Sequence, residues 1–328
     1  MKTYALKLPA ALLLAVPLIQ QASKAADRHA WRQGHGDLAV NHIDGAWKFS
    51  ATVDGAPIPE YAPNALAVTL GDSSRTAIPN NPNFAFLGGV GDPIWIAPQS
   101  QAFGVPFVGI SAQSTALGTF ANNRFNLLLT HLVGPGDFTM WTTGGVGAPT
   151  VRMNSRDGIT PGDMFEVPSG GHTHVNWGFS SPGTYSIGFT ASGTLAGSGQ
   201  PTTSEETGYL FEVGVLKAGE VDIEIAYEEG GLEFHAHDET TDTEHSPAHV
   251  ALHAGPSAWQ TVPEDSAFAF LGNAGDSIHV LPQDENANAL FLGLAAGEVP
   301  SGVFVGDTLK VQLTEFSGPG DFFSYAVD

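Results

Sequence analysis

The chain contains no cysteine. A disulfide scaffold and a thiolate nucleophile are both excluded, so the fold must stand on its apolar core. Positive charge is scarce: 12 Lys+Arg stand against 34 Asp+Glu in 328 residues, a formal net charge of −22. Phosphate neutralisation requires Lys and Arg, so this balance argues against nucleic acid and against an anionic membrane surface. It suits a soluble exterior that attracts cations. Helix signals are also missing. No stretch keeps a 3.6-residue apolar period with caps at both ends. No G-x-S-x-G, no H-E-x-x-H and no glycine-rich loop opening a helix occurs, so the chain is not read as an enzyme.

Apolar residues make up 42% of the chain, enough for a real core at this length. Their longest concentration is at the start, MKTYALKLPAALLLAVPLIQQASKA. Lys2 and Lys7 give a basic beginning, Leu8 to Ile19 is too short to anchor in a bilayer, and Ser23 and Ala25 are small residues at cleavage spacing. Residues 1–25 therefore read as a signal peptide cut near Ala25, with the mature chain secreted or held at the cell surface. No later segment is long and apolar enough for a transmembrane helix.

Internal similarity organises the rest. FAFLGGVGD at Phe84 returns as FAFLGNAGD at Phe268, an offset of 184 residues. The same offset carries Phe107 onto Phe291, Gly109 onto Gly293, and GPGDF at Gly134 onto GPGDF at Gly318. Upstream, one residue out of register, Gly34-His-Gly-Asp-Leu pairs with Gly219-Glu-Val-Asp-Ile. Residues 30–216 read as one complete unit and 217–328 as a second unit cut short. Short alternating runs, such as Thr184-Tyr-Ser-Ile-Gly-Phe-Thr-Ala and Val221-Asp-Ile-Glu-Ile-Ala-Tyr, are broken by Gly and Pro about every ten residues. The expected fold is all-β, an antiparallel sandwich of immunoglobulin or jelly-roll type, with a barrel as the alternative. The final FFSYAVD reads as the middle of a strand.

Within the first unit, SGGHTHVNWGF carries two histidines two residues apart. On a strand His172 and His174 share a face, with Cβ atoms roughly 6–7 Å apart, so both rings can converge on one cation. Neutral imidazole is the commonest zinc ligand, but two ligands do not make a zinc site. His35 is the candidate third, and Asp37, two residues on, is a fourth donor or a group that orients a ring. The competing reading is that the histidines are satisfied polar residues at a sheet edge. His235 and His237, in FHAHDETTDTEH, form a second pair on one face. By the repeat, Glu220 and Asp222 take the places of His35 and Asp37, while Ser50 and Thr52 fall near those of His235 and His237. His245, His249 and His253 have no histidine counterpart in the first unit and read as surface histidines with a weak metal-binding or proton-sensing role. The acidic run Asp238 to Glu244 lacks EF-hand spacing and reads as a solvated turn.

Together, FAFLG-x-x-GD, GPGDF and HTHVNWGFSSPGTYSIGFTASGTL, followed by YLFEVG, make the chain resemble the actinobacterial-type surface-anchored repeat, the choice-of-anchor M domain. That resemblance implies export, attachment through a C-terminal sorting element, and partnership with a metal-ion ABC transporter or a cell-wall component. No sorting element occurs in these residues. The resemblance strengthens the metal reading, with Zn²⁺ as the expected ion. The alternative is a structural or adhesive surface module without metal, binding carbohydrate if Trp31, Trp47 or Trp95 is exposed.

Overall fold

A computed structural model describes residues 28–325 apart from 56, 146, 218, 284–288 and 319. The leader segment, residues 1–25, lies outside the described residues.

The alternation seen in the sequence becomes burial. In the Gly183–Thr194 strand, Tyr185, Ile187, Phe189 and Ala191 are fully buried on one face. This strand is central to the first sheet, whose order is His29–Trp31, Leu66–Leu70, Thr207–Val213, Gly183–Thr194, Arg124–Val133, Met164–Pro168, with Pro201–Thr203 at its side. Two five-stranded sheets form the opposing layer. One runs Pro149–Asn154, Phe138–Thr143, Asn176–Phe179, Pro93–Ala97, Arg75–Ala77. The other runs His172–His174, Pro106–Ser111, Gly34–Ile43, Ala46–Val53, Glu60–Tyr61. Buried side chains from all three meet in one core that includes Val40, Val108, Trp177, Phe179, Phe189 and Phe211. Burying each of these phenylalanines contributes about 1.5–3 kcal/mol relative to exposure. The unit is an all-β sandwich. Most pairings are antiparallel, but Gly34–Ile43 with Pro106–Ser111 and Leu66–Leu70 with Thr207–Val213 are parallel.

Two of the motifs pack against each other. A Cβ at Gly134 of GPGDF would lie 2.2 Å from the Tyr185 ring of SPGTYS, and Ser180 Oγ accepts the Asp137 N–H at 2.7 Å. The Tyr185 hydroxyl donates back to the Ser181 carbonyl at 2.7 Å. This tyrosine corner locks a turn between two strands of the sandwich.

The second unit repeats the first in detail. The 3₁₀ turn Pro82–Leu87 returns as Ser266–Leu271, with Asn81 and Asp265 each accepting the N–H two residues on at its start. Gly118 N–H to Asn123 Oδ1 returns as Gly302 N–H to Asp307 Oδ1, both 2.6 Å. Its main sheet runs Thr243–His245, Gly231–Asp238, Gly219–Glu228, Leu290–Ala295, which is the histidine-bearing sheet of the first unit without its His172–His174 strand.

The expected strand at FFSYAVD is not seen at residues 322–325, while 326–328 lie outside the described residues. Thr308–Ser317 corresponds to the Arg124–Val133 strand but has no strand structure, and Val311, Leu313 and Phe316 are exposed. In the first unit that strand lies between Gly183–Thr194 and Met164–Pro168. Among the described residues, 308–317 has no pairing strand.

Candidate metal centre

The Asp44-Gly45 turn, with φ of 54° and 79°, closes the hairpin of Gly34–Ile43 and Ala46–Val53. Asp-Gly is the preferred pair for such a two-residue turn, because both positions need positive φ. Leu38 and Val40 point into the core, which puts His35 and Asp37 on the opposite face. Pro106–Ser111 lies beside this strand, pairing His35 with Phe107 and Asp37 with Gly109. Its other edge takes His172–His174, pairing His174 with Gly109 and His172 with Ser111. Two strands thus carry the four predicted donors, and Pro106–Ser111 between them sets their register.

The donor atoms converge. His172 Nε2 lies 2.9 Å from His174 Nε2, 3.3 Å from His35 Nε2 and 3.4 Å from Asp37 Oδ1. His35 Nε2 lies 3.8 Å from Asp37 Oδ1. One donor atom from each of the four residues falls within 4.8 Å of all the others. Tetrahedral ligands at zinc distance from a common ion stand roughly 3.3 Å apart, and these four separations run from 2.9 to 3.8 Å.

Gly109 makes the convergence possible. A Cβ there would fall 2.0 Å from Asp37 Oδ1, 3.1 Å from His174 Cε1 and 3.2 Å from His172 Cδ2. The His174 ring stacks on Phe107 with centroids 3.5 Å apart. Asp54 completes the arrangement. Its Oδ1 lies 2.8 Å from His35 Nδ1, so that nitrogen carries the proton and Nε2 turns its lone pair towards the other donors. The sequence reading missed Asp54. The signal was present: a two-residue Asp-Gly turn fixes the register, and counting outward from it sets position 54 opposite 35.

Asp37 Oδ1 is buried with no hydrogen-bond partner among the described residues. Burial raises its pKa above the carboxylate norm; His172 and His35 oppose this, and Asp54 adds to it. Burial, with His172 and His35 adding to it, pushes His174 down to about 4, so its ring is neutral at neutral pH. A neutral imidazole beside a desolvated carboxylate is the ligand state that a divalent cation needs.

His235 and His237 are placed differently. Asp222 pairs with Gly293 as Asp37 does with Gly109, and His237 stands opposite Asp222 in the place of Thr52. His237 is ringed by carboxylates, with Nδ1 3.1 Å from Glu239 and 3.7 Å from Glu224, and Nε2 3.4 Å from Asp242. Burial opposes its protonation, but Glu239, Asp242 and Glu224 outweigh that and raise its pKa. His235 Nε2 lies 3.9 Å from Glu233. Among the described residues, His235 and His237 do not join a convergent set of the kind at His35.

Two sequence expectations are corrected. His245, His249 and His253 are not simple surface histidines: the His245 side chain is only 10% exposed, and all three sit where the second unit meets the first. Val250 and Leu252 of the same segment pack on the cluster of Val221, Ala236 and Leu290, while His245 and His249 reach Asp72 and Arg75 of the first unit, which a reading of local polarity does not reveal. Trp31 and Trp95 are buried in the first unit, so neither offers a platform for sugar. Trp47 is half-buried, stacked on Phe120 with its Nε1 donating to Thr202.

No family model matches the chain, and no curated protein or solved structure matches it. Among the described residues, no helix is long and apolar enough to cross a membrane.

Proposed function

We propose that the protein is an exported, cell-surface β-sandwich repeat protein that captures a divalent metal ion, zinc in the first instance, between His35, Asp37, His172 and His174. The observation that carries this reading is the meeting of three imidazole Nε2 atoms and one buried carboxylate oxygen within 4.8 Å. Desolvating Asp37 without a partner costs stability, and a cation is the simplest compensation. The orienting bond from His35 to Asp54 supports it further, since ligating histidines commonly fix their second nitrogen on a carboxylate. Export rests on the leader pattern, and a surface role beside a metal-ion transporter rests on the resemblance of the motifs. The role proposed is binding rather than catalysis, since the sequence carries no G-x-S-x-G and no H-E-x-x-H.

Equilibrium dialysis of the full chain against Zn²⁺ tests the site. The His172→Ala/His174→Ala protein is expected to bind one equivalent less than the parent. Equal zinc in the two proteins would overturn the assignment.

A further inference from the structure

The second unit docks on the first through a patch rich in histidine. Ala251 N–H donates to the Gly214 carbonyl, and His253 N–H to the Leu216 carbonyl. Val215–Leu216 pairs in parallel with Ala251–Leu252. Around these bonds, Arg75 Nη1 of the first unit lies 3.0 Å from His249 Nδ1. A guanidinium has only donors, so His249 Nδ1 must accept, and this contact requires an unprotonated ring. The ring also lies edge-on to the buried Trp95. His245 Nδ1 meets Asp72 Oδ2 at 3.2 Å, while its Nε2 is buried without a partner among the described residues.

We propose that this junction is a pH-responsive joint, closed when His249 is neutral and released when it takes up a proton. Among the described residues, His249 faces Arg75, Asp72 and His245; Arg75 and His245 disfavour its charge, and Asp72 favours it. Burial acts first on the ring, and the net direction is downward.

The sign follows from linkage. A ring whose pKa is lower in the docked state binds fewer protons there than when released. Docking is then at full strength above the ordinary histidine value of about 6.5 and weakens as pH falls below it. Tyr61, Ala65 and Thr69 stand at the corresponding positions of the first unit, so these histidines belong to the junction and not to the shared fold.

Absence of cysteine makes the test direct. Val90→Cys and Leu232→Cys, both at exposed positions on different units, take a donor and an acceptor dye on the full chain. Energy transfer is followed from pH 7.5 to 4.5 with chelator present, so that metal release plays no part. The parent is expected to show a change with its midpoint below about 6.5. His249→Gln is expected to remove that change, and Arg75→Gln to move the midpoint upward by relieving the like charge. The second variant keeps the test valid if the first misfolds. Constant transfer in the parent, or the same midpoint in parent and Arg75→Gln, would overturn the proposal.

Discussion

Asp37 Oδ1 occupies the space in which a side chain at position 109 would begin. The two residues are register partners on adjacent parallel strands, and the ideal Cβ position of residue 109 lies 2.0 Å from that oxygen. One relationship thus ties a glycine with no chemistry of its own to the position of a candidate metal donor.

Gly109→Ala is therefore expected to displace Asp37 and weaken zinc binding at least tenfold, while costing about 1–3 kcal/mol of stability through overpacking. Calorimetric titration and a urea melt on the same protein check both effects. Unchanged affinity would show that Asp37 is not a ligand.

Asp54 acts through His35 and is exposed, so its effect on folding and on binding should separate. Asp54→Ala is expected to lower zinc affinity by about 10–100-fold, the usual range for a group that orients a ligand. Asp54→Asn keeps an acceptor oxygen and should recover much of that loss. Melting temperature without metal should hardly move, because an exposed ion pair contributes about 0–1 kcal/mol.

Asp37→Asn should act in opposite directions on the apo and metal-bound proteins. The raised pKa of Asp37 means that its charged form is disfavoured where it sits, so the neutral amide should stabilise the metal-free fold near pH 7. The same change removes an anionic ligand and should weaken zinc binding. Thermal melts with and without zinc decide the matter: a lower apo melting temperature in the variant would contradict the desolvation argument.

Zinc at about 100 times its dissociation constant should stabilise the native chain by about 2.7 kcal/mol, if it binds only the folded state. Differential scanning fluorimetry should report this as a rise in melting temperature that His172→Ala/His174→Ala abolishes.

Acid should weaken the metal-free fold through His174. Its folded pKa of about 4 lies below the ordinary 6.5, so the unfolded chain binds more protons between those values. Stability is full above about pH 6.5 and falls as pH drops towards 4. His174→Gln should flatten that slope in urea melts taken at intervals across the range.

Local patterns determined the parts of this protein whose physics is local. Alternation set the burial of Tyr185, Ile187 and Phe189, and spacing by two put His172 and His174 on one face, because side chains alternate across any strand. The repeat was readable from FAFLG and GPGDF and returns as matching turns at Pro82 and Ser266. Even Asp54 was within reach, since a two-residue turn at Asp44-Gly45 dictates its partner.

Strand order was the decision of the tertiary structure. His35 and His172 meet across 137 residues because Pro106–Ser111 inserts between their strands, and nothing local announces which strand will do so. The same cause left Thr308–Ser317 without strand structure despite its composition, since a strand needs partners to satisfy its backbone. It also moved His245, His249 and His253 from an apparent surface to a joint between units. Pairing and docking are contacts between distant segments, and their energies depend on which groups are brought together rather than on any residue's neighbours in the chain.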